Sequence, residues 1–251
     1  GVTLLQALST NLRRQGRLSE ALATDRDALR MAERTFGAEH PATGYAMIHL
    51  ADHVRDIEQD HASAERLYRD GLALMTRTFG ENSTRLIHGL HSLARLLGER
   101  GDPEAEALLR RALAIRRASA GPRHALVADE LSLLAEELVR RDRLGEAERL
   151  ARQALELSIE ALGPEHPDVP DKRLPLLAEV LDAQGRHEEA DGVYRTALET
   201  TPSHGVVPGQ MHRGFGLMLL RRGDHAGAER HLLRSLAELE EAYGGSEHPN
   251  V

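Results

Sequence analysis

The sequence predicts an all-α solenoid assembled from about six helix-turn-helix hairpins, and three recurrences carry that expectation. An alanine in a Gly-x-x-x-Glu-Ala context returns at Ala21, Ala64, Ala105, Ala147, Ala190 and Ala228, spaced by 43, 41, 42, 43 and 38 residues. Each is followed seven residues later by a small residue and Leu, as in Ala28-Leu29 and Ala154-Leu155. About twelve residues before each lies an apolar-small pair, from Leu8-Ser9 through Leu134-Ala135 to Phe215-Gly216. A joint recurs beside these three: Phe36-Gly37-Ala38-Glu39-His40-Pro41 is restated at Leu162–Pro167 and Tyr243–Pro249, with worn copies at Gly80 and Gly121. Self-similarity at a fixed period of roughly 20–50 residues is the signature of stacked repeats.

Taken in order, the units span approximately 1–41, 42–84, 85–125, 126–167, 168–205 and 206–247. In the first, Val2, Leu4, Leu5 and Leu8 open a helix that Gly16 ends, and the helix after it runs to Gly37. The second unit opens at Pro41, where proline pre-sets the first helical turn, and closes at Gly80. The third turns at Gly101 and closes at Gly121. The fourth shows the helical period most plainly, with Leu131, Leu134, Ala135 and Leu138 followed by Ala147, Leu150, Ala151, Ala154 and Leu155. In the fifth, Pro175 falls within the first helix, where a missing N–H predicts a bend. Its joint is replaced by Thr200–Gly205 and the period drops to 38, so its second helix is expected to be about a turn shorter. The sixth turns at Gly223 and closes at Gly244. Glycine ends these helices because it accepts the left-handed backbone there, and the His-Pro histidines read as loop hydrogen-bonders.

Composition narrows the function classes. The chain has 251 residues, a formal net charge of −8, 3% aromatic residues and no Trp. A nucleic-acid interface needs a basic face or stacking aromatics, and neither is present. No apolar run approaches the roughly 20 residues that span a bilayer. Cysteine is absent, which removes disulfides, thiol nucleophiles and thiolate metal sites and fits a reducing, cytoplasmic setting. Of the 32 basic residues only Lys172 is lysine, a bias suggesting a GC-rich bacterial genome. His49/His53 and His88/His91 have workable spacings for two metal ligands on one helix face, but no third ligand presents itself, so no metal or cofactor is expected. Gly214-Phe215-Gly216 sits in a helical pattern without a preceding strand, which excludes a phosphate loop. No nucleophile elbow marks a catalytic serine, and an enzyme is not expected.

The frame Leu-Ala…Gly-x-x-x-Glu-Ala-Glu…Ala-Leu…Leu-Gly-x-x-His-Pro resembles the tetratricopeptide repeat, in the long version of about 42 residues found in kinesin light chains and many bacterial proteins. The resemblance covers essentially the whole chain. It implies a right-handed superhelical solenoid and a scaffold that holds a peptide or protein partner in the concave groove lined by the first helix of each pair. The paired asparagines that clasp cargo backbone in kinesin light chains are replaced by Ile48-His49, His91-Ser92, Ser132-Leu133 and Pro175-Leu176.

Within that frame, residues three before and one and four after the small residue of each Leu-Ala pair are expected to face the groove. In the first three units this selects Gln6, Thr10, Arg13, Ile48, Asp52, Arg55, His91 and Arg95, with Tyr45 and His88 a turn earlier. In units four and five it selects Ser132, Glu136, Val139, Glu179 and Asp182, with Asp129 and Lys172 earlier, and in the sixth Arg213, Leu217 and Leu220. The expected groove is therefore basic and histidine-rich at its N-terminal end and acidic in the middle, suited to a partner with acidic and basic stretches. A second expectation is a sensor or regulatory arm of a larger bacterial signalling protein, a kinase or nucleotide-dependent switch. Because apolar residues are in pattern from Val2 and His248-Pro249 restates a helix start, the chain is also expected to be a fragment of a longer array, able to self-associate through its repeat ends.

Overall fold

The computed structural model describes residues 1–200 and 206–243, and among these every regular element is helical. The chain divides into two compact units, 1–119 and 120–251. The first holds α1 (Val2–Arg14), α2 (Leu18–Phe36), α3 (Pro41–His53), α4 (His61–Phe79), α5 (Ile87–Glu99) and nearly all of α6 (Glu104–Ala120). The second holds α7 (Ala125–Arg140), α8 (Leu144–Leu162), α9 (Leu174–Ala183), α10 (His187–Thr200), α11 (Val206–Arg222) and α12 (His225–Tyr243). Hairpins form as α1/α2, α3/α4, α7/α8, α9/α10 and α11/α12, and α2/α3, α4/α5, α8/α9 and α10/α11 join successive hairpins within a unit. The restated joint at 244–249 lies outside the described residues, as does most of the Thr200–Gly205 segment.

The recurrent small residues are the hairpin contacts. Ala21, Ala64, Ala105, Ala147 and Ala190 are completely buried, as are Ala51, Ala135 and Ala178. At the α3–α4 crossing the approach is closer still: a Cβ on Gly71 would stand 2.8 Å from the Gly44 carbonyl oxygen. Larger side chains there would have to push two backbones apart. Leu131, Leu134 and Leu138 fill the space beside the axes and are fully buried.

The tight turns share one cap. The N–H five residues beyond a leucine carbonyl closes the helix in Arg17→Leu12 (2.9 Å), Asp102→Leu97 (3.0 Å), Arg143→Leu138 (2.9 Å), Arg186→Leu181 (3.0 Å) and Asp224→Leu219 (3.0 Å). This is the Schellman arrangement, which needs a left-handed residue between. Gly16 and Gly101 take it at φ 75° and 72°, and Asp142 does so at 58° without being glycine. Histidine closes three of the long joints: as helix N-caps His40 Nδ1 accepts from Ala42 N (3.1 Å) and His124 Nδ1 from Leu126 N (3.1 Å), and just ahead of the π turn His166 Nδ1 accepts in the same way from Asp168 N (3.2 Å). The expected loop hydrogen-bonders are thus caps on exposed helix N–H groups.

Two expectations about unit five resolve differently. α10 has 14 residues against 19 in α8 and α12, shorter by slightly more than a turn. Pro175, however, bends no continuous α-helix. The chain makes a π-helical turn over Val169–Arg173, and α9 begins at Leu174, so Pro175 sits in its first turn, where its missing N–H has no intrahelical role to lose. A second π turn, Val54–Glu58, follows α3 and ends at left-handed Gln59.

Ser9, Asp25 and His53 meet in the core between α1, α2 and α3, all buried. Ser9 Oγ lies 2.9 Å from the Ala21 carbonyl, 2.7 Å from Asp25 Oδ2 and 3.1 Å from His53 Nδ1, and His53 Nδ1 also meets Asp25 Oδ2. A catalytic triad uses the two imidazole nitrogens separately for hydroxyl and carboxylate. Here one nitrogen serves both, so the cluster is a polar staple.

Candidate functional site

In the first unit α3 and α5 bring a carboxylate among cationic groups. Asp52 Oδ1 accepts from the Tyr68 hydroxyl at 2.6 Å and Oδ2 stands 3.1 Å from His88 Nε2. Burial works against the Asp52 anion, but hydrogen bonds from His88 and Tyr68 outweigh it and hold its carboxyl down to about 2. The same hydrogen bond raises the His88 imidazole above its ordinary value, while burial and nearby His88 lower His49. Their rings lie 5.8 Å apart. His88 keeps 59% of its side chain exposed, so it can still meet a partner. Arg95 is exposed one turn beyond His91, which is half-buried. Tyr45 is half-buried with its ring 6.4 Å from Phe79, and Arg13 is exposed, 3.9 Å from Asp56.

Ile48 and Arg55, expected on this face, do not reach it. Ile48 is buried, because Gly71 and Gly89 leave room for its branches between α4 and α5. Arg55 is buried within the π turn, donating to Asp56 Oδ1 from Nε (2.8 Å) and Nη2 (2.6 Å) and reaching the Tyr68 hydroxyl at 3.4 Å. Tyr68 was invisible to first-helix reasoning because it comes from α4. The signal was present in the frame, since four residues after the anchor alanine stand Asp25, Tyr68 and Tyr194 where other units have Leu109, Ala151 and Leu232.

In the second unit the organising group is one that the groove pattern did not select. Arg173 is buried and fans out to Asp129 Oδ1 (2.5 Å), Ser132 Oγ (2.8 Å) and Ser158 Oγ (2.9 Å), tying α7, α8 and the π turn together. Ser132, expected on the face, is consequently buried, and Asp129 is committed to Arg173. Asp182 is also occupied, by Arg222 Nε at 2.5 Å and His187 Nδ1 at 2.8 Å. Glu136, Glu179 and Arg213 are exposed. Burial raises both glutamates: Arg140 opposes it and Glu179 adds to it at Glu136, and Arg221 opposes it while Asp182 adds at Glu179. They line a cleft of about 420 Å³ with Leu133, Pro175 and Leu176. Among the described residues no group of three or more histidine or acidic side chains could hold a metal ion, and no helix is long and apolar enough to cross a membrane.

Comparison with known proteins fits this architecture. Tetratricopeptide repeat profiles match residues 2–77, 90–160, 174–205 and 214–250. Among solved structures, nearly identical TPR-like repeats of kinesin light chain type from Podosopora anserina superpose with a TM-score of 0.70 at 21% identity, covering 79% of this chain and 93% of that one. BtubC (BKLC) from P. vanneervenii gives 0.64 at 22% identity, covering 94% and 92%. A Rap protein complexed with Competence and Sporulation Factor gives 0.68 at 12% identity, covering 96% of this chain and 64% of that one. Comparison with curated proteins gives no match. Repeat profiles over most of the chain, on a frame of twelve described helices with buried small anchors, show that it belongs to the tetratricopeptide repeat family.

Proposed function

We propose that the chain is a non-catalytic interaction scaffold that holds a peptide or protein partner on the faces of its first helices, and that it works in the cytoplasm. The observation that carries this reading is a difference in charge between two exposed faces. In the first unit Arg95, His88 and Arg13 are exposed and suit an acidic or phosphorylated stretch; in the second Glu136 and Glu179 are exposed and suit a basic one. Such complementarity sets orientation and association rate and weakens with salt.

The test is capture of a partner from the native organism followed by titration against variants. Reversing Arg55 is unsuitable, since a buried guanidinium removed from Asp56 would disturb the fold. Arg95→Glu combined with His88→Ala should weaken an acid-bearing partner at least about tenfold, the scale of a lost charged hydrogen bond, with the helical circular dichroism unchanged. A partner that binds this variant and Glu136→Gln/Glu179→Gln at full affinity uses another surface. Exposed Leu4 on α1 and Leu233 on α12, 75% and 60% accessible, support self-association through the end hairpins. Sedimentation of Leu4→Ser against the parent checks that.

A second reading, a regulatory arm of a signalling protein, is favoured by the likeness to a Rap protein solved with a bound factor. A kinase or nucleotide-binding domain in the full-length protein would support it.

A further inference from the structure

We propose that the exposed face of α7, α9 and α11 docks a peptide segment that presents an arginine beside an aliphatic side chain, the arginine entering the cleft at Glu136 and Glu179 and the aliphatic group resting on Leu217 and Leu220. This rests on the scaffold reading and adds the chemistry that the second unit selects.

Three independent features converge. The first is the shape and lining of the cleft: at about 420 Å³ it lies within the roughly 300–1,000 Å³ typical of ligand sites. Leu133, Pro175 and Leu176 give it apolar surface, which suits the methylene stem of a long cationic side chain.

The second is charge that meets no hydrogen bond: Arg140 and Arg173 offset Glu136, and Arg221 offsets Glu179, only through space. Among the described residues no hydrogen bond or ion pair within the chain reaches the carboxylate of Glu136 or Glu179, and burial makes each anion less favourable than in water. The cleft's own guanidinium, Arg173, points inward to Asp129, Ser132 and Ser158, while Arg140 is paired with Glu137. An incoming guanidinium offers planar paired donors to two carboxylates, which a lysine ammonium does not.

The third is the register of the first helices. Glu136, Glu179 and Leu217 occupy the same frame position in α7, α9 and α11, one residue after Ala135, Ala178 and Gly216. The ladder therefore passes from acid to acid to leucine. Leu217 and Leu220 are 42% and 44% exposed, and they continue the face where the carboxylates end. Charge complementarity thus fixes one part of the occupant and the adjoining apolar face fixes the next.

The test is fluorescence anisotropy of the whole chain with fluorescein-labelled decapeptides that carry one arginine and one leucine at varied separation on a Gly/Ser/Gln background. A matched set replaces arginine with citrulline, which keeps the shape and removes the charge. Some separations should bind, and citrulline should weaken those at least about tenfold, the scale of a charged hydrogen bond. Glu136→Gln/Glu179→Gln should weaken the arginine peptides similarly and erase the difference between the two sets. Leu217→Ser/Leu220→Ser should weaken both sets alike, and Arg95→Glu in the other unit should change neither. Circular dichroism and the melting curve show that the near-isosteric Gln variants are folded. Failure of every arginine peptide to bind, equal binding of citrulline peptides, or a preference for acidic peptides would overturn the inference. If a natural partner still responds to Arg95→Glu in those cases, the scaffold reading survives alone; if it responds to no variant on either face, both fall.

Discussion

Single carboxylates on this chain have opposite energetics, and the difference separates structure from recognition. Asp52 is held at about 2 by His88 and Tyr68, so its contribution to stability is present above the ordinary aspartate value and is lost as pH falls through the depressed one. Glu136 and Glu179 are raised: their contribution to stability is greatest below the ordinary glutamate value and declines as pH rises through the raised one. At neutral pH both therefore carry a cost. Glu136→Gln/Glu179→Gln should stabilise the fold at pH 7, by no more than about 1 kcal/mol of unfolding free energy after solvent screening, and the gain should vanish in acid. Asp52→Asn should do the reverse, lowering the melting temperature at pH 7. His88 gives a further expectation. Because Asp52 raises it above 6.5, binding of an acidic partner should begin to tighten above that pH as acid is added, with His88→Gln flattening the profile. Residue roles were legible in the sequence only in part. The charged positions of α5, α7 and α9 follow from helical spacing, but Ile48 and Arg55 were drawn inward by what faces them, two glycines and Tyr68. Partner packing is not encoded in a single helix's period.

At the scale of the helix and its joints, spacing was far more informative. The anchors and joints in the sequence mark the hairpins and their long joints because close packing and helix stops admit few residue types. The π turns are not legible in the sequence, since nothing in Val54–Glu58 or Val169–Arg173 breaks an α-helical pattern except Pro170. Ala135→Leu or Ala154→Leu should overpack a helix contact and cost roughly 1–3 kcal/mol. His166→Ala should cost less, about 1 kcal/mol for a lost cap. Denaturant melts that rank His166→Ala as the more damaging change would contradict the capping role. Asp25→Ala should cost more than His166→Ala, roughly 1–3 kcal/mol, because it removes the buried carboxylate that Ser9 and His53 share in the core.

For the molecule as a whole, stability in a stacked array is a sum of hairpin terms and nearest-neighbour interfaces. Damage should therefore stay local before it becomes global. Native-state hydrogen exchange of Ala135→Leu should show amides of α7 and α8 losing protection while those of α1 to α4 keep theirs; uniform loss over both units would mean one cooperative block. The histidine caps supply a way to watch this without any attached probe. An imidazole whose Nδ1 accepts a backbone N–H must carry its proton on Nε2, so His40 in the first unit and His124 and His166 in the second are each locked in one tautomer. Nitrogen-15 spectra should show a pyridine-type Nδ1 signal from each of these three histidines, and each should drift toward the tautomer-averaged position as its own joint frays. The punctuation between hairpins would then serve as a set of built-in spectroscopic gauges, with readings assigned to known places along the chain.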